Sequence, residues 1–225
     1  MNHAPDSRPS PLPARRPSEG RFEGRLVALV PLDPVAHAQS LYEGSHGAGE
    51  DDLWRYMADG PFAGRAQFVA ALERKAASQD PLFFAIARLE GGHALGYAAY
   101  LRMAPEHRVI EVGSILYTRH LQRTTAATEA MYLMARYVFE DLGYRRYEWK
   151  CDARNEPSRR AALRLGFQFE GIFRQHMIVK GGNRDTAWFS MLDSEWPARK
   201  AEFERWLAPE NFDAAGCQKS PLRHA

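Results

Sequence analysis

The chain has 225 residues, 45% of them hydrophobic and 26% charged, with a formal net charge of +2. That is one globular domain with tails, large enough for a sizeable core, and its small charge gives no case for nucleic acid or another polyanion as partner. The two cysteines, Cys151 and Cys217, argue against a disulfide framework and fit a reducing cytoplasm, and no apolar run approaches the roughly 18 residues of a membrane span.

Residues 1–20 hold five prolines and few large apolar side chains, so a disordered tail is expected there, with no apolar stretch for a signal peptide. The folded domain is expected over 21–195, with a C-terminal helix and flexible tail over 196–225. "RFEGRLVALVPL" ends in a short apolar run stopped by proline, a buried strand. In "DPVAHAQSLYEG", Asp33 is the N-cap of a helix, Pro34 its first residue and Gly44 its end. "DDLWRYMADGPF" predicts a second short helix. "GRAQFVAALERKAAS" predicts a third, with Phe68, Ala71, Leu72 and Lys75 at helical spacing. "PLFFAIARLEGGHALGYAAYLRM" is two strands joined at Gly91-Gly92, and "RVIEVGSILY" a further strand.

The stretch "HLQRTTAATEAMYLMARYVFEDLG" becomes a helix. Residues 127, 130, 131, 134, 138 and 142 form its apolar face, Glu129, Arg136 and Glu140 share another, and Gly143 stops it. "YRRYEWKC" is a strand in which Tyr147, Trp149 and Cys151 alternate with Arg146, Glu148 and Lys150. "NEPSRRAALRLGF" is a short helix with Asn155 as N-cap. A hairpin turning at Gly181-Gly182 and a last helix in "SEWPARKAEFERWL" follow. The order of elements predicts an α/β fold with a mixed sheet.

The unit from Val109 to Cys151 reads as a βαβ-like crossover, in which ligands sit beyond the strand's carboxyl end. There, Gln122-Arg123-Thr124-Thr125-Ala126-Ala127 precedes a helix whose first N–H groups lack intrahelical partners. Small side chains and Arg123 could cradle a phosphate. A capped helix with a small first turn is the other reading. The Gly-Lys-Ser/Thr of a P-loop is missing, which disfavours ATP or GTP.

"EVGSILYTRHLQRTTAATEAM" followed by "NEPSRRAALRLGFQFEG" resembles the GNAT superfamily of acetyl-CoA-dependent N-acetyltransferases, and within it the RimJ/RimL type that acetylates ribosomal-protein alanine. The matching residues are Glu111-Val112-Gly113, Gln122, Ala127-Thr128-Glu129-Ala130, Asn155, Ser158 and Gly166-Phe167. The resemblance spans roughly 22 to 195. It implies a single domain whose mixed, mostly antiparallel, twisted sheet has about seven strands flanked by helices and splays between strands four and five. It also implies acetyl-CoA as acyl donor; the eight histidines show no metal-ligand spacing, so no metal is expected. The donor would be held by Ile115, Leu116, Tyr117, Gln122, Arg123, Thr124, Thr125, Ala126, Ala127, Thr128, Asn155 and Ser158. Two positions depart from the pattern. The cradle's usual central glycine is Thr125, with Arg123 and Thr124 as compensating donors. An acid used as base in this branch aligns with Met177, beside His176.

Family membership further implies direct transfer: a neutral amine attacks the thioester and the coenzyme thiolate leaves. Free strand backbone around Gly113-Ser114-Ile115-Leu116 would bind pantetheine and polarise the carbonyl. The catalytic candidates are Ser158, as proton donor to the thiolate, and Glu111, as base acting through a water. Many relatives place a tyrosine where this chain has Ala162. Ser158 could equally be a first-turn residue bonded to backbone, Glu111 a salt-bridged strand carboxylate, and His176 is the second choice of base. Cys151 reads as a buried, inert thiol. Residues 145–174 hold eight Arg/Lys against four Asp/Glu, a patch for the coenzyme's 3′-phosphate or a solvated face.

Three functions are compatible with the sequence. The first is a cytoplasmic N-acetyltransferase acting on a primary amine, an α-amine of a peptide or protein N-terminus or of a small molecule. The second is a degenerate GNAT-fold module that only binds acyl-CoA. The third transfers another acyl group, or acts on a polyamine, an antibiotic or an aminoacyl nucleotide. No membrane partner is expected, and a homodimer is left open.

Overall fold

A computed structural model describes residues 12–222. Its elements are β1 (Phe22–Glu23), β2 (Val27–Pro31), α1 (Pro34–Ser45), α2 (Asp51–Trp54), α3 (Arg65–Ala76), β3 (Leu82–Arg88), β4 (Ala94–Ala104), β5 (Val109–Tyr117), α4 (Thr125–Arg136), β6 (Arg146–Asp152), α5 (Glu156–Arg164), β7 (Gln168–Val179), β8 (Gly182–Leu192) and α6 (Trp196–Leu207). All eight strands form one sheet in the order β1-β2-β3-β4-β5-β6-β8-β7. Every pairing is antiparallel except β5 with β6. The strand beyond the expected seven is β1, two residues paired to β2.

The local signals act as their chemistry requires. The Asp33 carboxylate accepts from the Val35 N–H at 2.8 Å and the Ala36 N–H at 3.4 Å, capping α1. Gly91 and Gly92 turn the β3–β4 hairpin with φ of +74° and +65°, a region open to glycine at little cost. The short helix expected before the Gly60-Pro61 breaker is a single turn, α2, which ends at Trp54 ahead of that breaker.

Two apolar layers sandwich the sheet. On one face, Ala130, Met131 and Met134 of α4 and Phe203 and Trp206 of α6 pack over strands that include β6 and β8, through Tyr147, Trp149 and Phe189. On the other, Leu41 of α1, Trp54 of α2 and Phe68 and Leu72 of α3 pack on Phe83, Ala85, Tyr97 and Ala99. Among the described residues this second core includes none from β6, β7 or β8. On that side, the half of the sheet carrying Lys150 and Trp188 is therefore left for polar groups.

Glu129, which shares a helix face with Arg136 and Glu140, is drawn under the β1–β2 connection. It is buried, and its carboxylate accepts from the N–H groups of Arg25 at 2.9 Å, Leu26 at 2.7 Å and Val27 at 3.0 Å. The tight connection between β1 and β2 leaves those donors without strand partners, so the helix supplies the acceptor. Most of the tail predicted at the N-terminus, residues 1–11, lies outside the described residues. Ala14 is buried, its N–H bonded to Pro105 O at 3.0 Å, and Arg15 N–H reaches Leu142 O at 3.1 Å. At the other end Leu222 is also buried.

Candidate active site

The site begins where β5 parts from β6. Their parallel pairing runs from Val109 opposite Arg146 to Val112 opposite Trp149 and goes no further. On its other side β5 is bulged: Gly113 faces Ala99 and Leu116 faces Tyr97, so Ser114 and Ile115 share one position of β4. Ser114 takes φ +48° to make this turn. A bulge sharpens twist and bends its strand, and here it carries residues 113–117 away from β6. The two strands open as a wedge with free backbone groups on its β5 side. These are the fourth and fifth long strands, where the splay is expected.

At the mouth of the wedge stands the N-terminus of α4. The N–H groups of Arg123, Thr125 and Ala126 have no acceptor among the described residues. Arg123 adopts φ +59°, and its side chain is exposed. The Thr124 hydroxyl is already engaged, donating to Leu121 O at 2.7 Å and accepting from Ala127 N–H at 3.2 Å. It is the helix cap and has no proton left for a phosphate, which corrects its expected compensating role. Gln122 donates from Nε2 to Tyr117 O at 3.1 Å and ties the loop to the strand end.

Other expected contact residues divide by burial. Leu116 and Thr128 are buried, Leu116 in the second core and Thr128 beneath Arg164, whose Nη1 donates to its hydroxyl at 3.0 Å. Leu116 can offer a ligand only backbone. Ile115, Tyr117, Thr125 and Ala126 keep partial exposure, and Ala127 is buried at the helix start. Asn155 caps α5 by accepting from Ser158 N–H at 3.1 Å.

Ser158 lies against β6. The Trp149 indole N–H donates to its oxygen at 3.0 Å. Cys151, two residues along the same strand face, is buried. Burial pushes its thiol up, and the Ser158 hydroxyl draws it part of the way back. Ala162 is fully buried in the core.

Glu111 is buried beside the last paired rung of the wedge. Lys150 Nζ is 3.0 Å and Arg102 Nη1 3.4 Å from its Oε2. These are charge contacts that leave that oxygen without a well-directed hydrogen bond. Burial raises the carboxyl above its ordinary range, and Lys150 and then Arg102 oppose that shift. A Cβ at Gly113 would sit 3.3 Å from Glu111 Oε1 and 3.1 Å from a Leu101 methyl, so glycine keeps the space over the carboxylate open. Lys150 is buried in turn. It contacts Glu148 Oε2 at 2.6 Å and lies 3.7 Å above the Trp188 ring.

His176 joins this cluster through an irregularity in β7. Phe173 pairs with Thr186 and Met177 with Arg184, so four steps on β7 match two on β8. The intervening bulge, with Gln175 at φ +51°, brings the His176 Nδ1 to 2.9 Å from the Thr186 hydroxyl. Desolvation and the charges of Arg102, Arg184 and Lys150 hold the ring below the ordinary histidine value. Lys150, Arg102, Trp149 and Trp188 went unnoticed as site residues in the sequence. The available signal was Glu148 and Lys150 alternating with aromatic residues on a central strand, which puts charge on a face that a central strand buries.

The family model described as "Acetyltransferase (GNAT) domain" matches residues 27–168. A crystal structure of a GCN5-related N-acetyltransferase from Brucella melitensis superposes with a TM-score of 0.91 at 51% identity, covering 94% of this chain and 96% of that one. The "Uncharacterized N-acetyltransferase YoaA" of Bacillus subtilis is 32% identical over 107 residues, which are 48% of this chain and 60% of that relative. The microcin C7 self immunity acetyltransferase MccE, solved with acetyl-CoA and AMP, shares the fold with a TM-score of 0.64 at 20% identity over 75% of this chain and 93% of that one.

Proposed function

The chain belongs to the GNAT acetyltransferase family, and from that premise we propose that it transfers an acetyl group from acetyl-CoA directly to an α-amine, in the manner of the RimJ/RimL type. The observation that carries the reading is the wedge: a bulge at Ser114, strand pairing that ends at Val112, and an α4 N-terminus with unpaired N–H groups above it. Free strand backbone can run alongside a pantetheine amide chain, and helix N–H groups can meet a pyrophosphate. Arg123 adds charge at the same place.

The protein's own groups then have distinct tasks. Backbone N–H groups around Gly113–Leu116 orient and polarise the thioester carbonyl. Glu111, with one oxygen short of a directed partner, accepts the ammonium proton through a water. Ser158, fixed by Trp149, gives its proton to the departing sulfur. His176, its ring held below the ordinary histidine value, is the alternative base, favoured by the bulge that turns it toward Thr186.

The test has two arms. Thermal unfolding with acetyl-CoA at ~100 times its dissociation constant should show roughly 2.7 kcal/mol of added stability. Thiol release should then appear with free N-terminal peptides in a panel of amines. Binding without release on any amine would favour a module that only holds acyl-CoA.

A further inference from the structure

A cavity of about 210 Å³ lies between α2, the carboxyl end of β6 and the turn joining β7 to β8. Two bonds tie its walls together. Tyr56 donates to Arg154 O at 3.1 Å, and Lys180 Nζ donates to Trp54 O at 2.8 Å. The helical layer and the β7–β8 hairpin are thus bridged over the half of the sheet that the second core leaves uncovered.

The lining is unbalanced in charge. Arg55, Arg154, Lys180 and Arg184 face a single carboxylate, Asp152. That carboxylate is already taken by Arg154, whose Nε and Nη2 reach it at 3.0 and 2.8 Å. Among the described residues, Arg55, Lys180 and Arg184 form no ion pair with an acid. Arg184 is the most telling of the three. It is half-buried, and its one side-chain hydrogen bond runs from Nε to the Thr186 hydroxyl at 3.2 Å, which leaves both terminal amino groups uncommitted. A desolvated cation without a counter-ion is costly, and a guanidinium fork matches a carboxylate or phosphate in two parallel bonds. Burial pulls Arg184 below its ordinary value, and the charges of Asp152 and Glu111 oppose that shift only in part.

From Arg184, at the edge of the cavity, one face of β8 runs back toward the candidate base. Arg184, Thr186 and Trp188 alternate along one face of β8. Trp188 lies under Lys150, which contacts Glu111. A ligand anchored at Arg184 would therefore extend over this floor toward the candidate base, away from the α4 N-terminus.

We propose that the acceptor amine carries a compact oxyanion, a carboxylate or a phosphate, which Arg184 binds together with Lys180 and Arg55 while the amine reaches toward Glu111. This rests on the reading of the protein as an α-amine acetyltransferase and adds the chemical class of its substrate.

Two matched pairs of acceptors test it with the full chain: Ser-Asp-Ala amide against Ser-Asn-Ala amide, and O-phosphoserine amide against serine amide. The anionic member of at least one pair should show a KM about tenfold lower, a preference that shrinks as ionic strength rises toward about 1 M. A preference in the peptide pair alone assigns a carboxylate, and in the serine pair alone a phosphate. Arg184→Gln should bring the ratio close to one with the KM for acetyl-CoA unchanged. Arg55→Gln, at an exposed position, should reduce the same ratio without a risk to folding. Equal KM values within both pairs would overturn the proposal. So would an Arg184→Gln effect on acetyl-CoA alone, which would give the cavity to the donor. If no amine is acetylated, calorimetry with the N-acetylated Asp and Asn peptides decides separately: tighter binding of the acidic one supports the site, and equal binding rejects it.

Discussion

The Trp149 indole N–H donates to the Ser158 hydroxyl at 3.0 Å, which joins the last residue of β6 that pairs with β5 to the first turn of α5. One oxygen lone pair is thereby used, and the hydroxyl also engages the Cys151 thiol. The bond fixes the hydroxyl rotor at the open end of the wedge, where a coenzyme sulfur would depart. Ser158→Ala should lower kcat by about tenfold to a hundredfold with little change in acetyl-CoA affinity. Trp149→Phe keeps the ring and removes the donor, so it should give a smaller loss of the same kind. Unchanged turnover in Ser158→Ala would return the serine to a purely structural place on α5.

Glu111 makes a prediction in pH. Its carboxyl is raised by burial, opposed by Lys150 on β6 and Arg102 on β4, with Glu148 on β6 adding a small push upward. As a base it must be ionised, so kcat/KM should fall on the acid side through a value above the ordinary carboxylate range. Glu111→Gln should remove that limb and cost about a hundredfold or more in rate. The stability sign is opposite. A folded-state value above the unfolded one means that its stabilising contribution is present at low pH and lost as pH rises through the folded value. An unaltered acid limb in Glu111→Gln would move the role to His176, whose own variant, His176→Gln, then becomes the comparison.

The sheet, the capped helices and the start of α4 were legible in the sequence because each rests on local chemistry: Asp33 before Pro34, paired glycines in hairpins, small residues ahead of α4. Glu129 was not legible. Helical spacing places it with Arg136, and only the fold brings the β1–β2 connection over it. The polar cluster was hidden for the same reason. Arg102, Glu111, Lys150 and His176 come from four strands, and the bulges that aim them leave no residue-type signature in β5 or β7. The place of His176 was not legible either, because the two-residue excess in β7 decides which side chain faces Thr186.

Glu129 therefore carries a stability prediction. Its carboxylate satisfies three backbone donors, of which Val27 is fully buried. Glu129→Ala leaves them unpaired and should cost about 3 kcal/mol, a fall in Tm of roughly 6–12 °C for a chain of this size. Gly24→Ala should act on the same joint from the other side, because its Cβ would lie 2.5 Å from Glu129 Oε2. Thermal unfolding of the two variants checks this, and a Tm within a degree of the parent for both would show that the donors find other acceptors.

The choice between an α-amine and a lysine follows from how strong a base the site can offer. Glu111 is held by two cations, and even a raised carboxyl is a weak base toward an ammonium near ~10.4, whereas an α-ammonium near ~7.7–8.0 needs far less help. At about pH 7 the α-amine is neutral a few hundred times more often than a lysine. Rate should rise with pH and level off near the amine's own value once Glu111 is ionised. The comparison sets a peptide with a free N-terminus and no lysine against one with a blocked N-terminus and a single lysine. The free N-terminus should react roughly a few hundredfold faster at neutral pH, by the ratio of neutral forms. A faster blocked peptide would require a base stronger than Glu111 and would overturn the α-amine reading while leaving acetyl transfer itself intact.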